Sequence, residues 1–208
     1  MSHLESSGEA KKGRRYTKRV DNNIAILKAA RRVFSERGFG ATTVRDIIRQ
    51  TGLASGTFYN YFQGKEEIFQ ALIEDMGERL RARLSQSRRQ ADTLEKSVEE
   101  SFYAYFAFFA ENPADYALVR SNRGREGGHV SGPQIRAGLD ELRQDIQIYI
   151  HKNDLPQIDV DYLAAAATGI AFSILDVMMK RENPDPQQAA KFAATLALEG
   201  IDGLAEIK

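Results

Sequence analysis

The chain has 208 residues, 28% charged and 42% hydrophobic, a length and apolar content that support a buried core and exclude a disordered chain. It has no cysteine, which excludes disulfides and cysteine-bound metal, and no apolar run of about 18 residues, so no membrane span is expected. The formal net charge is zero, but residues 1–64 hold 12 Lys+Arg against 5 Asp+Glu and the remainder holds 17 against 24. A basic first part on an acidic remainder points to a polyanion at one end, with a solvated basic tail as the plainer alternative.

Taken in order, residues 1–19 read as a basic flexible arm. Lys11, Lys12, Arg14, Arg15, Lys18 and Arg19 crowd its second half. The segment lacks the apolar core of a secretory signal. Arg15 and Arg19 are candidates to neutralise phosphates or enter a minor groove, and a solubilising tail is the alternative. Asp21 to Arg37 reads as a helix capped by Asp21 or Asn22, with Ile24, Leu27, Ala30, Val33 and Phe34 as its buried stripe. Gly38-Phe39-Gly40 ends it.

Residues 42–65, TTVRDIIRQTGLASGTFYNYFQGK, read as a short helix, a tight turn and a second short helix. Thr42 or Thr43 caps the first, and Asp46 lies at capping-box spacing from Thr43. Val44, Ile47 and Ile48 give one apolar face, and Gly52 suits a left-handed helix end. Ala54 to Asn60 form the second helix, with Phe58 and Phe62 inward. Two helices joined by a short Gly-containing turn describe a helix-turn-helix. Ser55, Gly56, Thr57, Tyr59 and Asn60 are small or hydrogen-bonding groups suited to phosphates and base edges. Thr43 stands at a helix N-terminus that favours a phosphate, and Arg45 follows it.

These residues resemble the TetR-type bacterial regulators, whose signature is similar to T-T-V-x-D-I-A, A-G-V-S-x-G-T-x-Y-x-Y-F and K-E-x-L. This chain reads TTVRDII, TGLASGTFYNYF and KEEIF at the matching places. The resemblance implies a three-helix DNA-binding head over residues 20–64 and a helical effector-binding and dimerisation body over 65–208. It also implies a phosphate-contacting role for Lys65. Two residues depart from the pattern: Ala54 stands where a capping Ser is frequent, and Ile48 replaces a smaller Ala.

The body reads as helices throughout, giving an all-α chain of about nine helices. Lys65 to Gln90 carries Ile68, Phe69, Leu72, Ile73, Met76, Leu80 and Leu84, with RLRARLSQSRR as a solvated distal end. Thr93 to Glu111 is aromatic, and Pro113 opens a further short helix. NRGREGGHVSGP reads as a loop, with Arg120, Arg123, Arg125 and His129 as candidate contacts for an acidic ligand or as solvated groups. Gln134 to His151, Asp159 to Arg181 and Pro186 to Glu206 are the last helices. Ile135, Leu139, Leu142, Ile146 and Ile150 are the expected buried residues of the first of these. Leu163, Ala166, Ala167, Ile170, Ile174, Leu175 and Met178 form a wide apolar face on the second. Phe192, Leu196, Leu198, Ile201 and Leu204 form another on the third.

The resemblance implies that residues 159–206 pair with a second copy and that an effector enters the body. The expected ligand set is Phe102, Phe106, Phe109, Tyr116, Arg120, Arg123, Phe172 and Asp176. Enzyme chemistry finds little support. His3, His129 and His151 lack metal-ligand spacing, no phosphate loop or nucleophile elbow is present, and Asp140, Glu141 and Asp145 read as a solvated face. No cofactor, metal or membrane partner is expected.

The expected function is that of a homodimeric repressor on a near-palindromic double-stranded operator, released by a small apolar or amphipathic effector. It would work in the bacterial cytoplasm, associated with the nucleoid. An effector-independent DNA binder governed by a protein partner is the alternative. A helical ligand-binding module that has lost DNA binding is a third class, disfavoured by the intact GTFYNYF segment.

Overall fold

The structure is a computed structural model that describes residues 3–121, 132–152 and 154–204, with the side chains of residues 3–15, 121 and 201–204 outside that description. Among the described residues there are nine helices and no strand. They are α1 (His3–Ala41), α2 (Val44–Thr51), α3 (Ser55–Tyr59), α4 (Lys65–Arg89), α5 (Leu94–Glu111), α6 (Pro113–Ser121), α7 (Pro133–His151), α8 (Val160–Met178) and α9 (Pro186–Leu204). The all-α fold is as expected. The loop expected between α6 and α7, with Arg123, Arg125 and His129, lies outside the described residues.

Two compact units divide the chain: Met1–Ile73 with Ala117–His129, and Glu74–Tyr116 with Val130–Lys208. The division runs through α4 and α6, not through the expected boundary before Lys65. The reason is that α4 is one unbroken helix whose first turns pack with α1.

In the first unit, residues 3–19 are helical and continuous with α1, not an extended arm. The stretch lacks proline and is rich in Lys and Arg, which lose little side-chain freedom in a helix. Asp21 and Asn22 are therefore interior residues and cap nothing. Gly38 takes φ 76 and ψ 160, a conformation closed to most side chains, and breaks α1 where the sequence indicates. The buried stripe is Ile26, Ala29, Ala30, Val33 and Phe34, whereas Ile24 is 57% exposed. Both phases satisfy helical spacing, and packing selects the second.

The rings of Phe34, Phe39 and Phe69 form a mutual cluster, with centroids 5.5, 5.7 and 4.9 Å apart. Ile47, Phe58 and Phe62 close the rest of this core. Each such fully buried side chain contributes about 2 kcal/mol through the apolar area it removes from water.

In the second unit, α5 and α9 pack most extensively, and α9 does so through Ala189, Ala190, Ala193 and Ala194, all buried. Small side chains let the two backbones approach. Phe102, Phe106, Phe108 and Phe109 of α5 are buried as well. The caps are local: Thr93 accepts from the Lys96 N–H at the start of α5, and Asp159 accepts from Asp161 and Tyr162 at the start of α8. Ile146, Ile150, Leu155 and Ala164 join α7 to α8.

The distal part of α4 is not the solvated end that its arginines suggest. Arg81 pairs with Glu141 at 2.6 Å and donates to Gln134 Oε1 at 3.1 Å. Arg88 reaches Glu141 at 3.0 Å, and its Nε lies 2.7 Å from Asp145 Oδ2 without hydrogen-bond alignment. Arg83 binds Glu111, and Arg79 binds the wholly buried Asp115 at 2.8 Å. Glu141 and Asp145, expected on a solvated face, are thus the partners of α4. Burial pushes the Asp145 carboxyl up, with Arg88 opposing and Glu141 adding. Between these contacts a Cβ at Gly77 would lie 3.1 Å from Gln134 Cβ and 3.2 Å from Ile135 Cδ1, so glycine permits the close approach of α4 and α7.

Val160–Met178 is, by length and composition, apolar enough to cross a membrane, with a mean hydropathy of 1.5. Asp161 and Asp176 interrupt it, so its uncharged run spans residues 162–175 and stays short of about 18 residues. Only Ala164, Leu175 and Met178 of α8 are buried within the chain.

Candidate nucleic-acid interface

The helix-turn-helix is built by local signals. Thr43 is the N-cap of α2: its hydroxyl accepts from the Asp46 N–H at 3.3 Å, and its own N–H donates to Asp46 Oδ2 at 2.9 Å. This reciprocal pair is a capping box with Asp in place of the usual Glu. Gly52, at φ 67, ends α2 in the left-handed conformation. Thr51 Oγ1 accepts from the Leu53 N–H at 3.1 Å and fixes the turn. Ala54 occupies the N-cap place of α3 and gives no side-chain bond, as its lack of a hydroxyl requires.

With Phe58 and Phe62 buried, the remaining face of α3 turns outward. Ser55, Gly56, Tyr59 and Asn60 are exposed, Tyr59 to 57%, and Thr57 is half-buried. A Cβ at Gly56 would meet nothing within 4 Å, so the chain itself has no need of glycine there. Arg45 is exposed on α2, and so is Arg49 one turn further on. Arg49 escaped the sequence reading although its four-residue spacing from Arg45 was legible. Arg19 is exposed on α1, and the side chain of Arg15 lies outside the described residues.

Two expected phosphate contacts receive other work. The Thr43 hydroxyl donates to Asp46 Oδ2 at 2.6 Å, and the carboxylate already occupies the position where an anion was expected. Asp46 is held below the usual carboxylate range, first by the Thr43 hydroxyl, then by the Thr43 N–H, with Arg37 and Arg49 assisting. Lys65 Nζ donates to the carbonyls of Phe39, Gly40 and Thr42 at 3.0, 3.4 and 2.8 Å, and so spends its three protons inside the chain. Tyr61 is half-buried, and its hydroxyl accepts from Asn22 at 3.2 Å.

The expected ligand residues fall in both units. Within the second, Tyr116 donates to Asp176 Oδ1 at 2.8 Å, and Lys180 pairs with Asp176 Oδ2 at 2.7 Å. Phe172 lies one turn before Asp176 on α8. Phe102 and Phe106 stack at 6.1 Å, while Phe109 meets Tyr105 and Phe108 edge-on, each at 5.2 Å. These are contacts between neighbours along α5. Two shallow hollows, along Gln188 to Glu199 and Ala82 to Gln90, touch none of the expected ligand residues. Arg120 belongs to the first unit and is exposed. Arg123 lies outside the described residues. Among the described residues no group of three or more His, Cys, Asp or Glu could hold a metal ion.

A buried helical support carrying a polar, outward-facing second helix defines the helix-turn-helix class of DNA-binding unit. Residues 26–72 match the family model for "Bacterial regulatory proteins, tetR family". The chain is 42% identical over 190 residues to YdgC of Bacillus subtilis (strain 168), described as an uncharacterized HTH-type transcriptional regulator, covering 89% of this chain and 95% of that protein. The chain belongs to the tetR family, and it is a transcriptional regulator rather than an enzyme.

Solved structures share the fold. The fatty acid degradation regulator FadR of Bacillus halodurans matches with TM-score 0.76 and 20% identity, over 86% of this chain and 96% of that one. FadR of Bacillus subtilis, solved with stearoyl-CoA, matches with TM-score 0.70 and 20% identity, over 86% and 98% of the two chains.

Proposed function

We propose that the protein is a homodimeric repressor that holds a near-palindromic operator through α2 and α3 and leaves it when a small apolar or amphipathic molecule enters the helical body. The observation that carries the DNA reading is the outward row of Arg45, Ser55, Gly56, Tyr59 and Asn60 on a buried support. Glycine at 56 costs helix stability without serving the chain's own packing, which is understandable if a base edge or phosphate approaches there. Arg19 and Arg49 add positive charge to the same unit. The protein would then act in the bacterial cytoplasm, where its operator is.

Dimerisation draws its support from α8 and α9. Phe192 and Leu196 are 63% and 51% exposed, Tyr162 and Val177 are 79% and 57% exposed, and buried alanines face inward in their place. A helix with bulky apolar groups outward and small ones inward needs a second surface, and a copy of itself supplies one with two-fold symmetry. That symmetry matches a palindromic site. The effector reading draws on the Tyr116–Asp176 pair and the aromatic α5, and on the FadR fold, of which one example holds stearoyl-CoA. Neither of the shallow hollows on α9 and α4 touches the expected ligand residues, which favours a second reading, in which a protein partner replaces the effector.

The test is selection from a random-sequence duplex library followed by affinity measurement. Enrichment of an inverted repeat bound by two chains is the expected result, and no enrichment would sink the DNA reading. A panel of fatty acids and acyl-CoAs then separates the two regulatory readings. Ligand-dependent rise in Tm with release of the selected duplex supports an effector, whereas no shift across the panel favours the partner.

A further inference from the structure

Lys65 is the first residue of α4, yet its side chain turns back towards the junction between α1 and α2. Its ammonium bonds the carbonyls of Phe39, Gly40 and Thr42 and stands 4.6 Å over the Phe39 ring. One turn along the same helix, Phe69 meets the rings of Phe39 and Phe34 edge-on. The buried Thr42 ties the junction to itself by donating to the Gly38 carbonyl at 2.7 Å. The next residue, Thr43, is the N-cap of α2. The start of α4 therefore grips the turn from which α2 departs, by charge on one side and by rings on the other.

We infer that Lys65 is a positioning residue for DNA recognition, setting the pose of α2 and α3 through the turn at residues 39–42 instead of touching a phosphate. The inference rests on the DNA-binding reading. Its physical basis is donor arithmetic. An ammonium has three protons, and three carbonyls take them. Turning the ammonium to a phosphate would strip this donor from the carbonyls of the buried Phe39 and Thr42, a loss that the new contact would have to exceed. A misplaced α2 and α3 would harm the contacts that read sequence, whereas binding that depends on charge alone would tolerate it.

The experiment uses the full chain and the duplex that the wild type selects, beside a scrambled duplex of equal length. Lys65→Met keeps the stem and removes the donors. Lys65→Arg keeps the charge but cannot direct three donors to the same three carbonyls. Both are expected to lose about tenfold in affinity for the selected duplex, the size of one lost base contact, and less than about twofold for the scrambled one. In Lys65→Arg the slope of log affinity against log salt should stay unchanged.

As the contact control, Arg45→Met should weaken both duplexes and reduce that slope by about one. The same behaviour in Lys65→Met, with Lys65→Arg like wild type, would overturn the inference in favour of a phosphate contact. A lowered Tm with unchanged affinity for the selected duplex, measured where the variant is folded, would overturn it in favour of a purely structural role. If the wild type selects nothing, the DNA reading fails and takes this inference with it.

Discussion

Gly56 is a residue that the fold does not require and that the proposed DNA contact would explain. It lies in a helix, in open space, with no positive φ to justify it. Gly56→Ala should therefore raise stability, by up to about 1 kcal/mol in chemical denaturation. The same change should lower affinity for the selected duplex about tenfold, the loss of one close contact. A variant that gained stability and kept its affinity would remove Gly56 from the interface. Thr43 and Asp46 have the opposite character, since their bonds stay within the chain. Thr43→Ala should cost about 1 kcal/mol, read as a lower urea midpoint.

Asp46 adds a pH dependence with a definite sign. Its folded carboxyl titrates below the unfolded one, so its stabilisation is complete above the unfolded pKa of about 3.9 and is lost as pH falls through the folded value. Asp46→Asn should consequently lose stability at neutral pH and show a shallower further loss below about pH 4, checked by urea titrations at both ends. An acid dependence equal to that of the wild type would argue against the assignment.

At the scale of elements, α4 is held by pairs that cross long stretches of sequence. Arg81 and Glu141 are separated by 60 positions, Arg79 and Asp115 by 36, and Lys65 and Phe39 by 26. Such partners cannot be read from spacing, which is why the arginines of α4 looked solvated and Lys65 looked available. Signals confined to a few residues were legible: the break at Gly38, the Thr43–Asp46 box, the left-handed Gly52 and Pro113 at the start of α6. Between these extremes stands the phase of α1, where Ile24 and Ile26 each fit a helical stripe and only the tertiary core chooses. The candidate site divided in the same way, with the outward row on α3 readable because Phe58 and Phe62 fix its inner face.

Gly77 offers a test of the α4–α7 seam. Helix propensity alone would make Gly77→Ala a gain of about 1 kcal/mol, but the new methyl group must displace Gln134 or Ile135 by a few tenths of an ångström. The two effects should nearly cancel, whereas Gly77→Val should cost about 1–3 kcal/mol through overpacking. Thermal unfolding of both variants reads this directly. A Gly77→Val protein as stable as the wild type would mean that the seam is loose.

At the scale of the whole molecule, the outward faces of α8 and α9 are the least economical surface for a lone chain. Phe192→Lys combined with Leu196→Lys should yield monomers in sedimentation, with helicity preserved because both side chains are largely exposed within the chain. The double variant should also bind the selected duplex far more weakly, since one head cannot span two half-sites. A dimer that survives both lysines would direct the search to another face.

That apolar face has a consequence for gene dosage. In the proposed dimer, assembly of two chains before reading would make the concentration of competent regulator rise with nearly the square of the number of chains when chains are scarce. A cell holding few copies would divide them unevenly between daughters. A twofold difference in inheritance would then become about a fourfold difference in dimer. The hydrophobic residues on α8 and α9 would thus set how sharply the regulated genes respond to the amount of their own regulator.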